Sequence, residues 1–138
     1  MSAPLAPSAV AIQTVSPLSF AEAVARAREA LAKEGFGVLT EIDVAATMKK
    51  KLEIDGPPYL ILGACHPPSA HRSLSAAPDV GVLLPCNVTV SVEDGRTVVR
   101  AMDPQSVMAL VGKPELAEVG AHVAAALGRV VAACGSGA

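Results

Sequence analysis

The sequence predicts an α+β domain: a mixed, largely antiparallel sheet of about five strands, with helices packed mainly on one face. Three observations carry this. Two strand–helix–strand units open the chain, each with a legible helix cap. A long period-two stretch turned by Asp94-Gly95 follows, and a helix with an unbroken apolar stripe ends it. At 138 residues the chain is read as a single domain, 1–138, able to bury a core without metal or disulfide staples. Its ends, 1–7 and 135–138, are expected to fray.

The first strand is placed between Ser8 and Val15, on Val10, Ile12 and Val15. Ser19-Phe20-Ala21-Glu22 fits a capping box, and the helix it opens runs to about Glu34 with Phe20, Val24, Ala27 and Leu31 on its apolar face. Gly35 closes it. Phe36 to Ile42 reads as the second strand. Asp43 then caps a second helix whose stripe is Val44, Met48 and Leu52. Lys49, Lys50 and Lys51 point in different directions on that helix, and Glu53 is placed to pair with Lys49.

Tyr59 to Cys65 is a continuous apolar run, a strand buried on both faces and stopped by His66-Pro67-Pro68. Pro67 or Pro68 suits the first turn of a short helix reaching about Ala77, ended by Pro78. From Val80 to Glu93 apolar residues alternate without a break, which predicts one long strand. Pro85 inside it argues for an edge position or a bulge. The Asp94-Gly95 turn sets a hairpin register of Val92 with Thr97, Val90 with Val99, Val88 with Ala101 and Cys86 with Asp103. Asp103-Pro104 opens a short helix broken by Gly112. Pro114-Glu115 opens the last, striped with Leu116, Val119, Val123, Leu127, Val130 and Cys134.

Composition excludes several classes. A formal net charge of −2 gives no electrostatic reason for nucleic acid or an anionic membrane as partner. Phe20, Phe36 and Tyr59 are all the aromatic residues, too few for a base-stacking platform. The hydrophobic fraction of 51% is mostly Ala and Val interleaved with charge, and no run is read as reaching transmembrane length. The first residues lack the basic and apolar regions of a signal peptide, and Cys134 does not make a prenylation box. Three widely spaced cysteines form no disulfide framework, so the expectation is a cytoplasmic protein with reduced thiols.

Cys65 is the first candidate for chemistry. It lies where a strand ends and a helix begins, and free amides at a helix N-terminus lower a thiol pKa. With His66 and His71 it could offer one thiolate and two imidazoles to a soft metal such as copper or zinc, although buried packing of Cys65 is the commoner role. Cys86 falls in the core-facing series, and Asp103 opposite would disfavour its thiolate. Cys134 extends a helical stripe. His122 follows Glu118 by one turn, which reads as a surface pair. Glu41 and Asp43 share a strand side, yet Asp43 is more simply a cap. No P-loop, GxGxxG or GxSxG motif is present.

Taken together, Phe36-Gly37-Val38-Leu39-Thr40-Glu41-Ile42-Asp43, Tyr59-Leu60-Ile61-Leu62-Gly63-Ala64-Cys65-His66-Pro67, Leu83-Leu84-Pro85-Cys86-Asn87-Val88 and Ala101-Met102-Asp103-Pro104 resemble the DUF302 family (domain of unknown function 302), from about Val10 to Leu127. The resemblance implies a compact bacterial or archaeal α+β domain, dimeric, with no established activity and no catalytic residue to carry over. Three readings follow. The leading one is a non-catalytic homodimer binding a small ligand near Cys65, His66, Cys86, Asn87 and Asp103. The second is a thiol, soft-metal or haem-binding protein of redox or stress handling, using Cys65 and Cys86. The third is a small enzyme with Glu41 or Asp103 as carboxylate base. The cofactor is left unknown. The dimer interface is expected at the hairpin that begins with the 80–93 strand, or at the sheet face it carries, as an edge that Pro85 protects at one point only.

Overall fold

A computed structural model describes residues 4–135. The expected fraying of the ends falls partly on 1–3 and 136–138, which lie outside the described residues. Pro4 to Pro7 has no regular structure, and Gly135 serves as the C-cap of the last helix.

The chain runs β1 (Ala11–Ser16), α1 (Phe20–Lys33), β2 (Gly37–Asp43), α2 (Val44–Leu52), β3 (Tyr59–Cys65), α3 (Pro67–Ala76), a 3-10 segment (Pro78–Leu83), β4 (Cys86–Glu93), β5 (Arg96–Met102), α4 (Pro104–Met108) and α5 (Pro114–Cys134). The five strands form one sheet in the order β1-β5-β4-β3-β2, and every pairing is antiparallel. The predicted α+β class stands.

Local chemistry sets most boundaries. Ser19 and Glu22 close the capping box of α1 reciprocally. The Asp43 carboxylate accepts the Ala46 N–H at 2.8 Å to start α2. Glu53, in the left-handed region at φ 56°, ends α2, and Lys49 pairs with Asp55 at 3.0 Å rather than with Glu53. The β4–β5 hairpin has the expected register, Val88 with Ala101, Val90 with Val99 and Val92 with Thr97. Asp94 and Gly95 both take positive φ, as a two-residue turn of this hand requires.

The predicted strand over 80–93 is only half right. Pro78 to Leu83 is a 3-10 turn, and β4 begins at Cys86. Val80 is buried against Met108 and Leu116, Leu83 and Leu84 are partly covered, and Val82 is 87% exposed. That is a period near three, which the intervening apolar residues disguise as alternation. Pro78 presets the backbone for the turn, and Pro85 stands just before the ladder, where its missing N–H costs no bond. β4 is therefore a central strand between β3 and β5, not an edge. The expected pairing of Cys86 with Asp103 is not formed, because the β4–β5 ladder ends at Val88 and Ala101. Cys86 lies opposite Ala64 of β3, while the Asp103 N–H donates to the Val10 carbonyl at 2.8 Å.

α1 and α5 cover one sheet face. The main core joins Ala27 and Leu31 of α1, Leu62, Val88, Val90 and Val99 of the sheet, and Val123, Leu127 and Val130 of α5. Burying such side chains is worth roughly 1.5–3 kcal/mol each for the larger ones. Among the described residues α5 alone is long and apolar enough to span a membrane by length and composition, contrary to the expectation that no run is. Its stripe is spent on the core, where Leu116, Leu127, Val130 and Cys134 are fully buried. On the opposite sheet face Arg100 makes two hydrogen bonds to Glu93 and a third to Gln13. The guanidinium, helped by the Ser91 hydroxyl, holds the Glu93 carboxyl down at about 2.

A second, smaller core lies apart. Ala77, Val80, Met108 and Leu116 pack with Leu83, Leu84 and Val111 beneath the 3-10 segment. The site lies between the two cores.

Candidate functional site

Where the main and satellite cores meet, the facing side chains are short. α3 presents Ser69, Ala70 and Ser73, the ends of β3 and β4 present Ala64, Cys65 and Cys86, and α5 presents Gly120 between Val119 and Val123. Close-packed interiors leave few voids larger than a water molecule. Here Phe36 and His66 supply the rings that reach the junction, and a cavity of about 340 Å³ remains. Leu84, Pro85, Pro104 and Met108 complete its apolar wall, and Leu39 stands at its rim. Gly120 also sets the helix spacing: a Cβ there would lie 3.1 Å from the Pro104 carbonyl oxygen.

Cys65, His66 and Ser69 of the wall come from the junction of β3 and α3. β3 ends at Cys65, as expected, and His66 is the N-cap residue of α3. The His66 Nδ1 lies 2.7 Å from the Ser69 hydroxyl. Its ring packs tilted against Phe36, with centroids 5.4 Å apart, and stands 6.0 Å from the ring of His122 on α5. Gly35, at φ 82°, lets the backbone pass close beneath: a Cβ there would touch His66 Cδ2 at 3.4 Å. Beyond His66 is a second hollow of about 210 Å³, bounded by Lys33, Glu34, His122 and Arg129. Phe36, His66 and Val123 line both hollows. Arg129 grips Glu34 through two hydrogen bonds, at 2.7 and 3.1 Å, holding that carboxyl below its usual range.

The expected site residues separate into two groups. Cys65, His66 and Cys86 all line the cavity. Asn87 is exposed, one residue out of phase with Cys86, and does not line it. Asp103 caps α4 instead, its carboxylate accepting from the Gln105 N–H at 3.0 Å and the Ser106 hydroxyl at 3.1 Å. Its neighbour Pro104 is the lining residue. Glu41 pairs with Arg28 and Asp43 caps α2, so the two make no carboxylate pair.

The three-ligand set of Cys65, His66 and His71 is not assembled. Among the described residues no three His, Cys, Asp or Glu side chains are grouped so as to hold a metal ion. His71 is exposed on α3, away from the cavity wall. The start of α3 also offers Cys65 fewer free amides than expected. Its first two positions are Pro67 and Pro68, which have no N–H, and the Ala70 N–H is already given to the His66 carbonyl. Cys86 is raised to about 11, first by burial and then by the neighbouring Cys65. Its thiol stays protonated near neutrality, as expected, but through desolvation rather than through Asp103.

Sequence reasoning misses Phe36, Ser69, His122 and Arg129. It pairs His122 with Glu118, yet Glu118 is taken by Arg72 at 3.0 Å. The available signal is size. Ser69, Ala70 and Ser73 on α3, and Gly120 on α5, place small residues on faces that helical spacing turns inward.

Comparison with known proteins agrees with this architecture. The family profile described as "Domain of unknown function DUF302" matches residues 12–134. A crystal structure of an uncharacterised conserved DUF302 protein from Bacillus stearothermophilus is similar, with a TM-score of 0.85 and 29% sequence identity. The match covers 90% of this chain and 97% of that one. No curated protein matches.

Proposed function

This chain belongs to the DUF302 family, and we propose that it is a non-catalytic domain that binds a small, largely apolar molecule between its two cores. One observation carries the reading: a cavity of about 340 Å³ whose wall is almost wholly apolar, interrupted by a few polar side chains. Ligand clefts usually measure ~300–1,000 Å³ and combine an apolar wall with a few convergent polar groups. Here those groups are Cys65, His66, Ser69 and Ser73. Three free thiols suit a reducing, cytoplasmic setting.

The test uses decanol as probe. Calorimetric titration should show saturable binding to the wild-type protein. Ala70→Phe, which puts a ring into the cavity from the partly exposed α3, should weaken it by at least about fivefold, since overpacking costs ~1–3 kcal/mol. Unaltered affinity in a folded Ala70→Phe protein would refute the location.

A homodimer is the second part of the proposal. The support lies at the β2 edge of the sheet, because the 80–93 segment that the sequence suggested contributes a central strand. β2 is an edge strand with Leu39 67% and Ile42 48% exposed, and no residue of α2 is buried. Met48, Leu52 and Ile54, on and just after α2, are exposed as well. A second copy related by a two-fold axis would pair β2 with itself antiparallel and satisfy its free edge. Leu39 belongs both to this surface and to the cavity rim, so a partner there would also close the site.

A further inference from the structure

The two hollows share the wall formed by Phe36, His66 and Val123, and they differ sharply in chemistry. The larger is bounded by short apolar side chains. The smaller is bounded by Lys33, Arg129, His66 and His122 against one carboxylate, Glu34. That carboxylate is already held by Arg129 through two hydrogen bonds. Lys33 and His122 lie on the same rim, and both are exposed. The His66 ring stands at the seam, fixed on one side by Ser69 and on another by Phe36. A molecule filling the larger hollow therefore ends against the His66 imidazole, and a head group that passes this ring enters the smaller hollow, where Lys33, His122 and Arg129 stand and the one carboxylate is already paired.

We propose that the ligand is an amphipathic acid, with its apolar chain between the two cores and its anionic head at the His66–His122 seam, facing Lys33 and Arg129. The proposal rests on the cavity reading above and names its ligand class. Buried apolar area supplies the affinity, because the wall offers few hydrogen bonds. The rim supplies the selectivity, because an anion there gains attraction that an alcohol lacks and a cation loses.

The experiment compares decanoate, decanol and decylamine, three chains of equal length with different heads, by calorimetry on the full-length protein. Decanoate should bind best and decylamine worst, with on the order of tenfold between them, since exposed charges each contribute only a small attraction. Lys33→Glu should shrink or reverse that order while leaving decanol unchanged. His122→Gln should weaken decanoate alone, by about two- to fivefold. Equal affinities for all three probes would overturn the head-group assignment and leave the apolar cavity standing. An acid-to-amine ratio unmoved in Lys33→Glu would overturn it in the same way. Binding of none of the three would overturn both.

Discussion

Cys65, Cys86 and Cys134 show how position, rather than residue type, decides chemistry. Cys134 closes the stripe of α5, and Cys86 is the first residue of β4. Burial raises both thiols to about 11. Cys65, a neighbour of Cys86, is partly exposed on the cavity wall. At pH 8 a thiol of pKa about 11 is thiolate only in roughly one part in a thousand. Limiting iodoacetamide on the native protein should therefore modify Cys65 first. Cys86 and Cys134 should gain about tenfold in rate per pH unit as the pH rises toward 11. Equal labelling of all three at pH 8, read by peptide mass spectrometry, would count against this ordering. His122 gives a second lesson at this scale. In the sequence it is one exposed residue on a charged helix face. Only tertiary packing brings α5 beside the start of α3 and sets its ring 6.0 Å from His66.

Among the elements, α2 is the outlier. Its sequence has a clear stripe, Val44, Met48 and Leu52, and the Asp43 cap, yet the helix packs none of its residues into the core. Short helices draw most of their stability from packing, so α2 should be held only weakly in an isolated chain. Ultracentrifugation at micromolar concentration should give a mass near twice 13.9 kDa, and Ile42→Lys with Leu52→Glu should return the monomer. Amide exchange in α2 should be slow in the dimer and fast in that variant, with α5 protected in both. A wild-type monomer would reject the interface. Elements are legible in the sequence wherever one local signal suffices: the capping box of α1, the Asp43 cap, the Asp94-Gly95 turn and its register. The 78–83 segment is not. Val80, Val82 and Leu84 satisfy period two on paper, and only the satellite core, formed with Met108 and Leu116 far along the chain, selects the 3-10 turn.

For the whole molecule, the cavity arises because two cores do not merge. The main core spends the large apolar residues of α1, the sheet and α5, and the satellite core seals the 3-10 segment and α4. Between them the chain supplies Ala, Ser, Cys and Gly, which cannot fill the space. Cys65, His66 and Cys86 stand out as site residues in the sequence because strand-end chemistry is local. Asn87 and Asp103 stand out equally in the sequence but do not line the cavity, because sheet phase and helix capping depend on where β4 begins. The cavity itself is invisible there, since a void is a property of the packing of distant elements. Intermolecular NOEs between bound decanol and methyl groups of the protein would show whether that void holds a ligand. Contacts from the decanol chain to Ala64, Met108, Val119 and Val123, the residues that face the void, are expected. Contacts confined to Met48, Leu52 and Ile54 on the outer surface, or none at all, would refute a ligand site between the cores.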